Sequence, residues 1–296
     1  MTPESEYLVA LARRVTDAYL AHTRPRAALL TGSAAVGESD RYSDLDLILY
    51  YDALPGEQAV EAAREQLGAT DVKPPDDPSG REFGEAYTVD GVECQVGHVT
   101  IAAWEEDMAS VLDGLAVESP IQKALGGLMD GMALHGDDLI GHWRAKAADY
   151  PDALARAMVK HYLRFFPLWY VADRLALRDA TLWEQQVFVE SAQRILGVLA
   201  GLNRRYYSPF QFERTHAFVA KMTIAPPRLA DRLEALFRAE RAAAILELEN
   251  LVRETVELVG IHMSELDTAH IQLYVGERAR PWTSEGPAPP SRERAH

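Results

Sequence analysis

The sequence predicts an α+β protein in which an amino-terminal mixed sheet is followed by an α-helical bundle. Two apolar runs, "RAALLTG" and "SDLDLILYYD", are typical of short strands bounded by glycine or proline. Residues 81–89 and 92–101 alternate apolar and polar side chains around Asp90-Gly91, a dipeptide that favours a β-hairpin. Beyond residue 102 these strand patterns largely end, and apolar residues recur at helical spacing.

Two amphipathic helices are expected to back the sheet. The first, residues 5–22, ends before Pro25 and spaces its apolar residues three or four positions apart: Leu8, Leu11, Val15 and Tyr19. The second is "GEQAVEAAREQLGA", residues 56–69. Residues 72–80 are rich in proline and glycine, which predicts a turn-rich connection to the hairpin.

The second half predicts an antiparallel helical bundle over residues 149–270. Pro167 is expected to kink its first helix, because proline lacks the N–H that a helix interior needs. Three segments show apolar periodicity near 3.6 residues or continue the helical pattern: 151–179, 182–202 and 226–263.

Composition shifts along the chain suggest where its domains end. The strand-rich part gives way to the helical part near "ALHGDDLIGHW", residues 133–143. We therefore expect one domain over 1–135 and a helical, substrate-binding domain over 136–278. The remaining residues, 279–296, are rich in proline, serine and charge, which predicts a disordered tail.

Charge and cysteine content limit the class of function. The net charge of −15 comes from 45 acidic and 30 basic residues, and such a field repels polyphosphate backbones. It therefore disfavours nucleic acid as a partner and suits a cationic substrate, although an acidic surface also serves solubility. The single cysteine, Cys94, excludes an intramolecular disulfide and a cysteine zinc cluster. With neither a signal-peptide pattern nor a run of about 18 apolar residues, we expect a cytoplasmic protein without a membrane partner.

The most informative segment is "TGSAAVGESDRYSDLDLILYY", residues 31–51. Alternate side chains of a strand share a face, so Asp44 and Asp46 are expected to point the same way. Two carboxylates this close repel each other unless a cation lies between them, and Mg²⁺ with its oxygen ligands relieves that repulsion. Because Mg²⁺ completes its shell with water and substrate phosphates, the pair predicts a phosphorylated substrate nearby.

The Gly32-Ser33 pair suits that substrate. Glycine lets a phosphate approach the backbone, and a serine hydroxyl with backbone N–H groups can hold its oxygens. With Gly37 in the same connection, residues 31–39 can form a phosphate cradle that faces the aspartates. An isolated Asp-x-Asp at a strand end is more often a solvated turn, so the joint spacing carries the specificity of the motif.

Residues 31–49, "TGSAAVGESDRYSDLDLIL", resemble the signature of the nucleotidyltransferase superfamily that includes DNA polymerase β, in particular its antibiotic-modifying bacterial branch. The helical half is more loosely similar to the substrate domains of aminoglycoside and lincosamide nucleotidyltransferases. The resemblance implies transfer of a nucleoside monophosphate from a nucleoside triphosphate, for which we expect ATP, to an acceptor hydroxyl, with release of pyrophosphate. It also implies Gly32 and Ser33 as phosphate binders and Asp44 and Asp46 as metal ligands.

The same family uses a third carboxylate on a neighbouring strand. We select Glu93, because a charged residue between Val92 and Cys94 faces the opposite side of the sheet. Its role would be to share the second of two Mg²⁺ ions or to take the acceptor's proton. Glu85 on the other hairpin arm is the alternative, and a partly exposed glutamate without function is the simpler interpretation. The expected catalytic and metal-binding residues are thus Asp44, Asp46 and Glu93.

Residues 199–210 end an apolar helix with basic and aromatic side chains that could hold a triphosphate or stack on a base. A comparable Asn-Arg-x-Tyr stretch occurs in helical domains of this nucleotidyltransferase type. A polar helix cap is the other interpretation. The expected nucleotide-binding residues are Gly32, Ser33, Ser43, Asn203, Arg204 and Tyr206.

Other conspicuous side chains of the helical half are interpreted without a function. Glu184 and Glu190 are assigned to a solvated edge. Lone histidines without metal-ligand spacing are assigned to packing. The aromatic residues Phe165, Phe166, Trp169 and Trp183 are assigned to the core.

Together these patterns favour a Mg²⁺-dependent enzyme, monomeric or homodimeric, acting on a small hydroxylated and cationic molecule. Aminoglycoside and lincosamide antibiotics are candidate acceptors. Two alternatives stay open: nucleotidylation of a macromolecule, either a protein in a toxin–antitoxin pair or a tRNA end, and non-catalytic nucleotide binding. The net charge weighs against tRNA, the long helical half against the minimal toxin-associated forms, and the intact aspartates against a binding-only module.

Overall fold

The structure is a computed structural model that describes residues 1–76, 80–210 and 212–272, together with two short strands, Trp282–Thr283 and Gly286–Pro287. Residue contacts divide the chain into two units. The first unit is Met1–Leu154 with Tyr206–Ser208, and the second is Ala155–Arg205 with Pro209–His296. Residue 136, where the sequence predicts the second domain to begin, lies inside the first unit. Apart from the two short strands, the predicted tail at 279–296 lies outside the described residues.

The first unit is built on a six-stranded mixed sheet, which confirms the predicted α+β class. Its spatial order is β3-β4-β5-β2-β1-β6, in which β2 and β5 are parallel and the other neighbours antiparallel. The strands are β1 (Ala27–Leu30), β2 (Leu45–Tyr51), β3 (Thr70–Asp76), β4 (Glu82–Val89), β5 (Val92–Thr100) and β6 (Met132–His135). Asp90 and Gly91 connect β4 to β5 with φ angles of 52° and 82°, as a tight two-residue hairpin requires.

Helices cover both faces of this sheet. They are α1 (Pro3–His22), α2 (Gly32–Val36), α3 (Glu57–Leu67), α4 (Ile101–Leu112), α5 (Ile121–Asp130) and α6 (Asp137–Ala148). On one face α1 and α3 pack on alternate residues of β2, so that Leu45, Leu47 and Leu49 are buried with Leu11 and Val60. On the other face α4 and α6 contribute tryptophans that pack on the ring of Tyr50. The helices predicted at 5–22 and 56–69 are thus confirmed as α1 and α3.

Two strands of the sheet were not expected from the sequence. β3 occupies most of the segment that was predicted to be turns, and it includes Pro74 and Pro75. Proline is tolerated there because β3 is an edge strand, which needs hydrogen bonds on one side only. β6 is only four residues long and half-buried throughout. It pairs with β1 at the opposite edge of the sheet. Neither strand carries enough apolar alternation to be recognised locally.

The second unit is helical, as predicted. From the end of the first unit onward the helices are α7 (Asp152–Tyr162), α8 (Leu168–Asp173), α9 (Thr181–Leu202), α10 (Thr215–Ala220), α11 (Leu229–Leu236), α12 (Arg241–His262) and α13 (Ala269–Gln272). The kink predicted at Pro167 is instead a break, because α7 ends at Tyr162 and Pro167 is the residue that precedes α8. Within the described ranges, no helix has the length and apolarity needed to cross a membrane.

Candidate functional site

The structure brings Asp44 and Asp46 together on one face at the start of β2. Asp46 lies in parallel register with Gln95 of β5, and both aspartates are half-buried. The residues that alternate with them, Leu45 and Leu47, point into the core beneath α1. Strand alternation on a sheet buried on one side therefore fixes the direction of the Asp46 carboxylate, and Asp44 immediately precedes the strand.

The Gly-Ser segment lies directly against the second aspartate. The Thr31 N–H donates a hydrogen bond to the backbone carbonyl of Asp46 at 2.9 Å, which continues the pairing of β1 with β2. Gly32 follows with a φ of +67°, and a Cβ atom at this position would overlap Oδ2 of Asp46. Only glycine accommodates both the backbone conformation and the close carboxylate. The motif's two halves are thus in contact in the fold.

Residues 31–39, for which the sequence predicts a phosphate cradle, form a short helix and a loop. α2 spans Gly32–Val36 and ends at Gly37, which has a left-handed φ of 78°. The Ser33 hydroxyl lies 3.1 Å from the Ser39 hydroxyl. Thr2 ties the end of the loop to α1, since its hydroxyl donates to the Ser39 carbonyl at 2.8 Å and also accepts from the N–H of Ser5. The loop is therefore held by the first turn of α1.

Ser43 belongs to the turn that leads into β2. Its hydroxyl accepts a hydrogen bond from the Asp40 N–H at 3.0 Å, and its own N–H donates to the Asp40 carbonyl at 3.1 Å. These two bonds close the turn immediately before Asp44. The structure therefore gives Ser43 a role in positioning β2, and its expected contact with a nucleotide stays a prediction.

Gln95 is a neighbour of the aspartate pair that the sequence reasoning did not single out. Its Nε2 donates a hydrogen bond to Oδ2 of Asp44 at 2.8 Å, while its backbone pairs in register with Asp46. The alternation of β5 places Gln95 on the same face as Glu93, and this much was readable from the sequence. The register that sets β5 beside β2 was not, because it depends on a parallel pairing between strands about fifty residues apart.

Glu93 lies on β5 one residue before Cys94, which pairs in register with Leu45. Its carboxylate is bound by Lys73 of the edge strand β3 at 2.7 Å, and about half of the side chain, 47%, is exposed. In the part of the chain that the structure describes, no three His, Cys, Asp or Glu side chains converge as a metal cluster. A metal-binding or catalytic role of Glu93 therefore stays a prediction.

Glu85, the alternative third carboxylate, lies on the other face of the sheet. Its side chain is 1% exposed and accepts hydrogen bonds from the hydroxyl of Tyr19 and, at 3.2 Å, from Arg64. The His98 ring lies 2.8 Å from the same carboxylate. Burial raises the pKa of Tyr19 and of its neighbour Tyr87 far above the usual range, so both phenols stay protonated. Glu85 is therefore a structural carboxylate. It cannot serve as a third metal ligand beside Asp44 and Asp46, because its side chain points to the opposite face of the sheet.

The three candidates in the helical half have different environments. The Asn203 amide is fully engaged, since Nδ2 donates to the Leu199 and Ile224 carbonyls and Oδ1 accepts from the N–H groups of Thr223 and Ile224, all at 2.8–2.9 Å. This pattern matches the helix-cap interpretation.

Tyr206 and Arg204 complete that set. The Tyr206 ring is buried in the first unit, and its hydroxyl donates to the Ala147 carbonyl at 2.7 Å. Burial also raises the pKa of Tyr206, which keeps the phenol a donor. Arg204, in the second unit, is exposed and has a φ of 51°. Contact of these residues with a nucleotide stays a prediction, and Arg204 is the member whose side chain faces solvent.

Two assignments in the helical half need correction. Glu184 is buried in the second unit, and its carboxylate forms an ion pair with Arg241 at 2.8 Å, so it does not lie on a solvated edge. Phe165 is buried as expected, but Phe166, Trp169 and Trp183 are partly exposed. They form an aromatic cluster with Tyr170 in which neighbouring ring centroids lie 5.5–5.8 Å apart. The spacing of aromatic residues along a helix does not show whether they form a partly exposed cluster or a buried core.

Comparison with known proteins adds a weak structural likeness. No protein-family model and no curated protein matches the sequence. Among solved structures, the chain is similar to a nucleotidyltransferase-like protein from Exiguobacterium sibiricum, with 12% sequence identity over 93% of this chain and 82% of that one. The TM-score is 0.41, and a likeness at that level carries no argument about function.

Proposed function

We propose that this chain is a Mg²⁺-dependent nucleotidyltransferase that transfers a nucleoside monophosphate from a nucleoside triphosphate to a hydroxyl of a small molecule. ATP is the expected donor, and pyrophosphate is the second product. The observation that carries the proposal is the contact between Gly32 and the Asp46 carboxylate. It sets a glycine-serine loop, suited to phosphate oxygens, against a pair of carboxylates suited to a cation.

The donor set at the aspartate pair fits a divalent cation of the Mg²⁺ type. Mg²⁺ is commonly held by one or two carboxylates together with water and substrate phosphates, and it does not require a closed protein cage. Asp44 and Asp46 supply two carboxylates on one face, and the glycine at position 32 leaves room beside the second. These two residues would hold the ion, which when bound neutralises charge on the phosphates.

The chain's own residues would mainly bind and orient the reactants. In this proposal the Ser33 hydroxyl and the N–H groups at the start of α2 would bind phosphate oxygens, since a helix leaves its first N–H groups without intrahelical partners. The acceptor oxygen forms a bond to the α-phosphorus, the bond to the bridging oxygen breaks, and pyrophosphate leaves with that electron pair. The hydroxyl proton passes to a carboxylate of the site or to water. Such a transfer needs positioning and charge neutralisation rather than a covalent nucleophile.

The acidic character of the chain supports a cationic acceptor. A net charge of −15 raises the local concentration of cations and repels nucleic acid. Aminoglycosides and lincosamides combine hydroxyl groups with positive charge, so we propose them as the first acceptors to test. Transfer to a protein hydroxyl and nucleotide binding without catalysis are the competing functions.

The test is mass spectrometry after incubation with Mg²⁺, mixed nucleoside triphosphates and a pool of aminoglycosides and lincosamides. We expect one pool member to gain the mass of a nucleoside monophosphate, and we expect Asp46→Asn to abolish that gain. If the gain appears on protein instead, the small-molecule acceptor is wrong. If the wild-type chain binds Mg²⁺ and nucleotide but neither transfers nor hydrolyses, the chain is a binding protein and the catalytic proposal fails.

A further inference from the structure

A hydrogen bond joins Gln95 of β5 to Asp44, one of the paired aspartates. Gln95 is exposed on β5, directly beside Asp46 in the parallel register, yet its amide reaches the other aspartate at 2.8 Å. It therefore touches both members of the pair, one through strand pairing and one through its side chain. Glu93, the acidic residue nearest along the strand, is instead bound by Lys73.

An amide donor at this place changes how the two carboxylates behave. Asp44 and Asp46 repel each other, and without a donor the favoured rotamers turn their charges apart. A hydrogen bond from a neutral N–H to a carboxylate is stronger than one between neutral groups, and it fixes which oxygen faces the neighbouring strand. Because the donor is neutral, this hydrogen bond adds no positive charge that would compete with a cation.

We propose that Gln95 is a positioning residue, which holds Asp44 so that the aspartate pair is preorganised for a divalent cation. This inference rests on the nucleotidyltransferase function proposed above. With an amide beside Asp46 in the register, the pair supplies two carboxylates, and a divalent cation held by two carboxylates needs further oxygen ligands. The phosphates of the nucleotide supply the remaining oxygen ligands, so the cation enters together with the nucleotide.

The test measures binding of Mn²⁺, as a spectroscopic substitute for Mg²⁺, by the loss of the free-ion electron paramagnetic resonance signal. Titrations are run with and without a non-hydrolysable ATP analogue. Gln95→Met keeps the length of the side chain but removes the donor, and Gln95→Glu adds a carboxylate. Gln66→Met is the matched control, because Gln66 is an exposed glutamine of α3 bound to His22, away from the site. Asp44→Asn tests the pair itself, and circular dichroism melts confirm that each variant folds.

We expect Gln95→Met to weaken Mn²⁺ binding in the presence of the analogue by about tenfold, the typical worth of a hydrogen bond to a charged group. Gln95→Glu should instead strengthen binding of Mn²⁺ without nucleotide by about tenfold, because a third carboxylate then joins the pair. Gln66→Met should bind as the wild type does.

Two results would overturn the inference in distinguishable ways. If Asp44→Asn weakens Mn²⁺ binding but both Gln95 variants bind like the wild type, the aspartate site stands and Gln95 has no positioning role. If Asp44→Asn also binds like the wild type, the metal site of the proposed function is itself wrong. Strong Mn²⁺ binding by the wild type without nucleotide would contradict the joint entry of cation and nucleotide.

Discussion

The two faces of the central sheet each present carboxylates, and the contrast between them separates a structural acid from a candidate functional pair. Glu85 is buried beneath α1 and α3, where a phenol, an imidazole and a guanidinium surround it. Asp44 and Asp46 lie half-buried on the opposite face, next to each other, to a glycine and to an amide. The protein supplies the donors and the positive charge that Glu85 needs. The aspartate pair is only half-buried, so under the function proposed above a cation from solution can reach it.

The largest expected effect comes from neutralising one of the paired aspartates. Asp46→Asn should lower nucleotidyl transfer by about 10³-fold, because several kcal/mol of charge stabilisation depend on the cation. The free energy of unfolding should stay within about 0.5 kcal/mol of the wild type, since the residue is half-buried and removing it relieves a repulsion. Turnover assays and urea unfolding measure the two quantities. If Asp46→Asn instead lowers the free energy of unfolding by several kcal/mol, Asp46 is a structural residue like Glu85.

Removal of the buried carboxylate should give the reverse result. Glu85→Ala is expected to lower the free energy of unfolding by about 4 kcal/mol, because it leaves buried polar partners without their acceptor. Glu82→Ala, an exposed glutamate of the same strand, is the matched control and should change stability by no more than about 0.5 kcal/mol. Urea unfolding at pH 7 compares them. Equal effects of the two variants would mean that the buried network contributes nothing measurable.

The two glycines at positions 32 and 80 test the close approach of the loop to Asp46. Both have positive φ angles, +67° and +76°, but a Cβ at Gly80 would meet nothing within 4 Å among the described residues. Gly80→Ala should therefore cost about 1 kcal/mol of stability from backbone strain alone. Gly32→Ala should cost about 3 kcal/mol and also weaken Mn²⁺ binding, because it displaces the carboxylate.

The comparison of Gly32→Ala with Gly80→Ala tests the close contact between Gly32 and Asp46. If Gly32→Ala proves no more destabilising than Gly80→Ala, the contact with Asp46 is looser than the structure shows. The comparison uses urea unfolding for stability and the electron paramagnetic resonance titration for the metal.

Glu93→Gln tests whether Glu93 is the third carboxylate of the site, and we expect a smaller effect. Since Lys73 binds the Glu93 carboxylate at the exposed edge, we expect turnover to fall less than about threefold and stability to change by less than about 1 kcal/mol. Lys73→Met is the paired variant and should behave in the same way. A drop as large as that of Asp46→Asn would instead establish Glu93 as the third carboxylate of the site.

The smallest effect concerns the buried thiol of Cys94. Burial raises the pKa of Cys94 from 9.0 to about 11, so the folded chain keeps a proton that the unfolded chain loses. The thiol's contribution to stability is fully present below pH 9 and is lost as the pH rises through about 11. The stability difference between wild type and Cys94→Ala should therefore shrink over that window in urea unfolding. A difference that stays constant or grows would contradict the sign.

The fold was predictable where one residue pattern sufficed. Alternation and an Asp-Gly turn located the hairpin, and helical spacing located α1 and α3. The edge strand β3 was not predictable in the same way, because prolines are tolerated only where a neighbour is absent on one side, and that depends on the sheet order. A local sequence pattern predicts the secondary structure of its own segment. Which strand lies at the edge of a sheet depends on the order of all the strands.

The same limit applies to the candidate site. Asp44, Asp46 and Gly32 were recognisable because they lie within one short segment. The role of Glu93 stays a prediction, and Gln95 was not singled out because its position depends on register. The parallel pairing of β2 with β5 places the amide beside Asp46, and the edge strand β3 brings Lys73 to the glutamate. Spacing along one strand shows which residues share a face. It does not show which of them lies next to a residue on another strand.

The bonds made by Thr2 have a consequence for how the loop could move. One hydroxyl both caps the first turn of α1 and holds the Ser39 carbonyl, and the Thr2 N–H donates to the Gly37 carbonyl at 3.2 Å. The start of the longest helix in the first unit and the end of the loop beside Asp46 are therefore mechanically coupled. Fraying of that first turn would release the loop, so order at the chain's beginning is a condition for order thirty residues later.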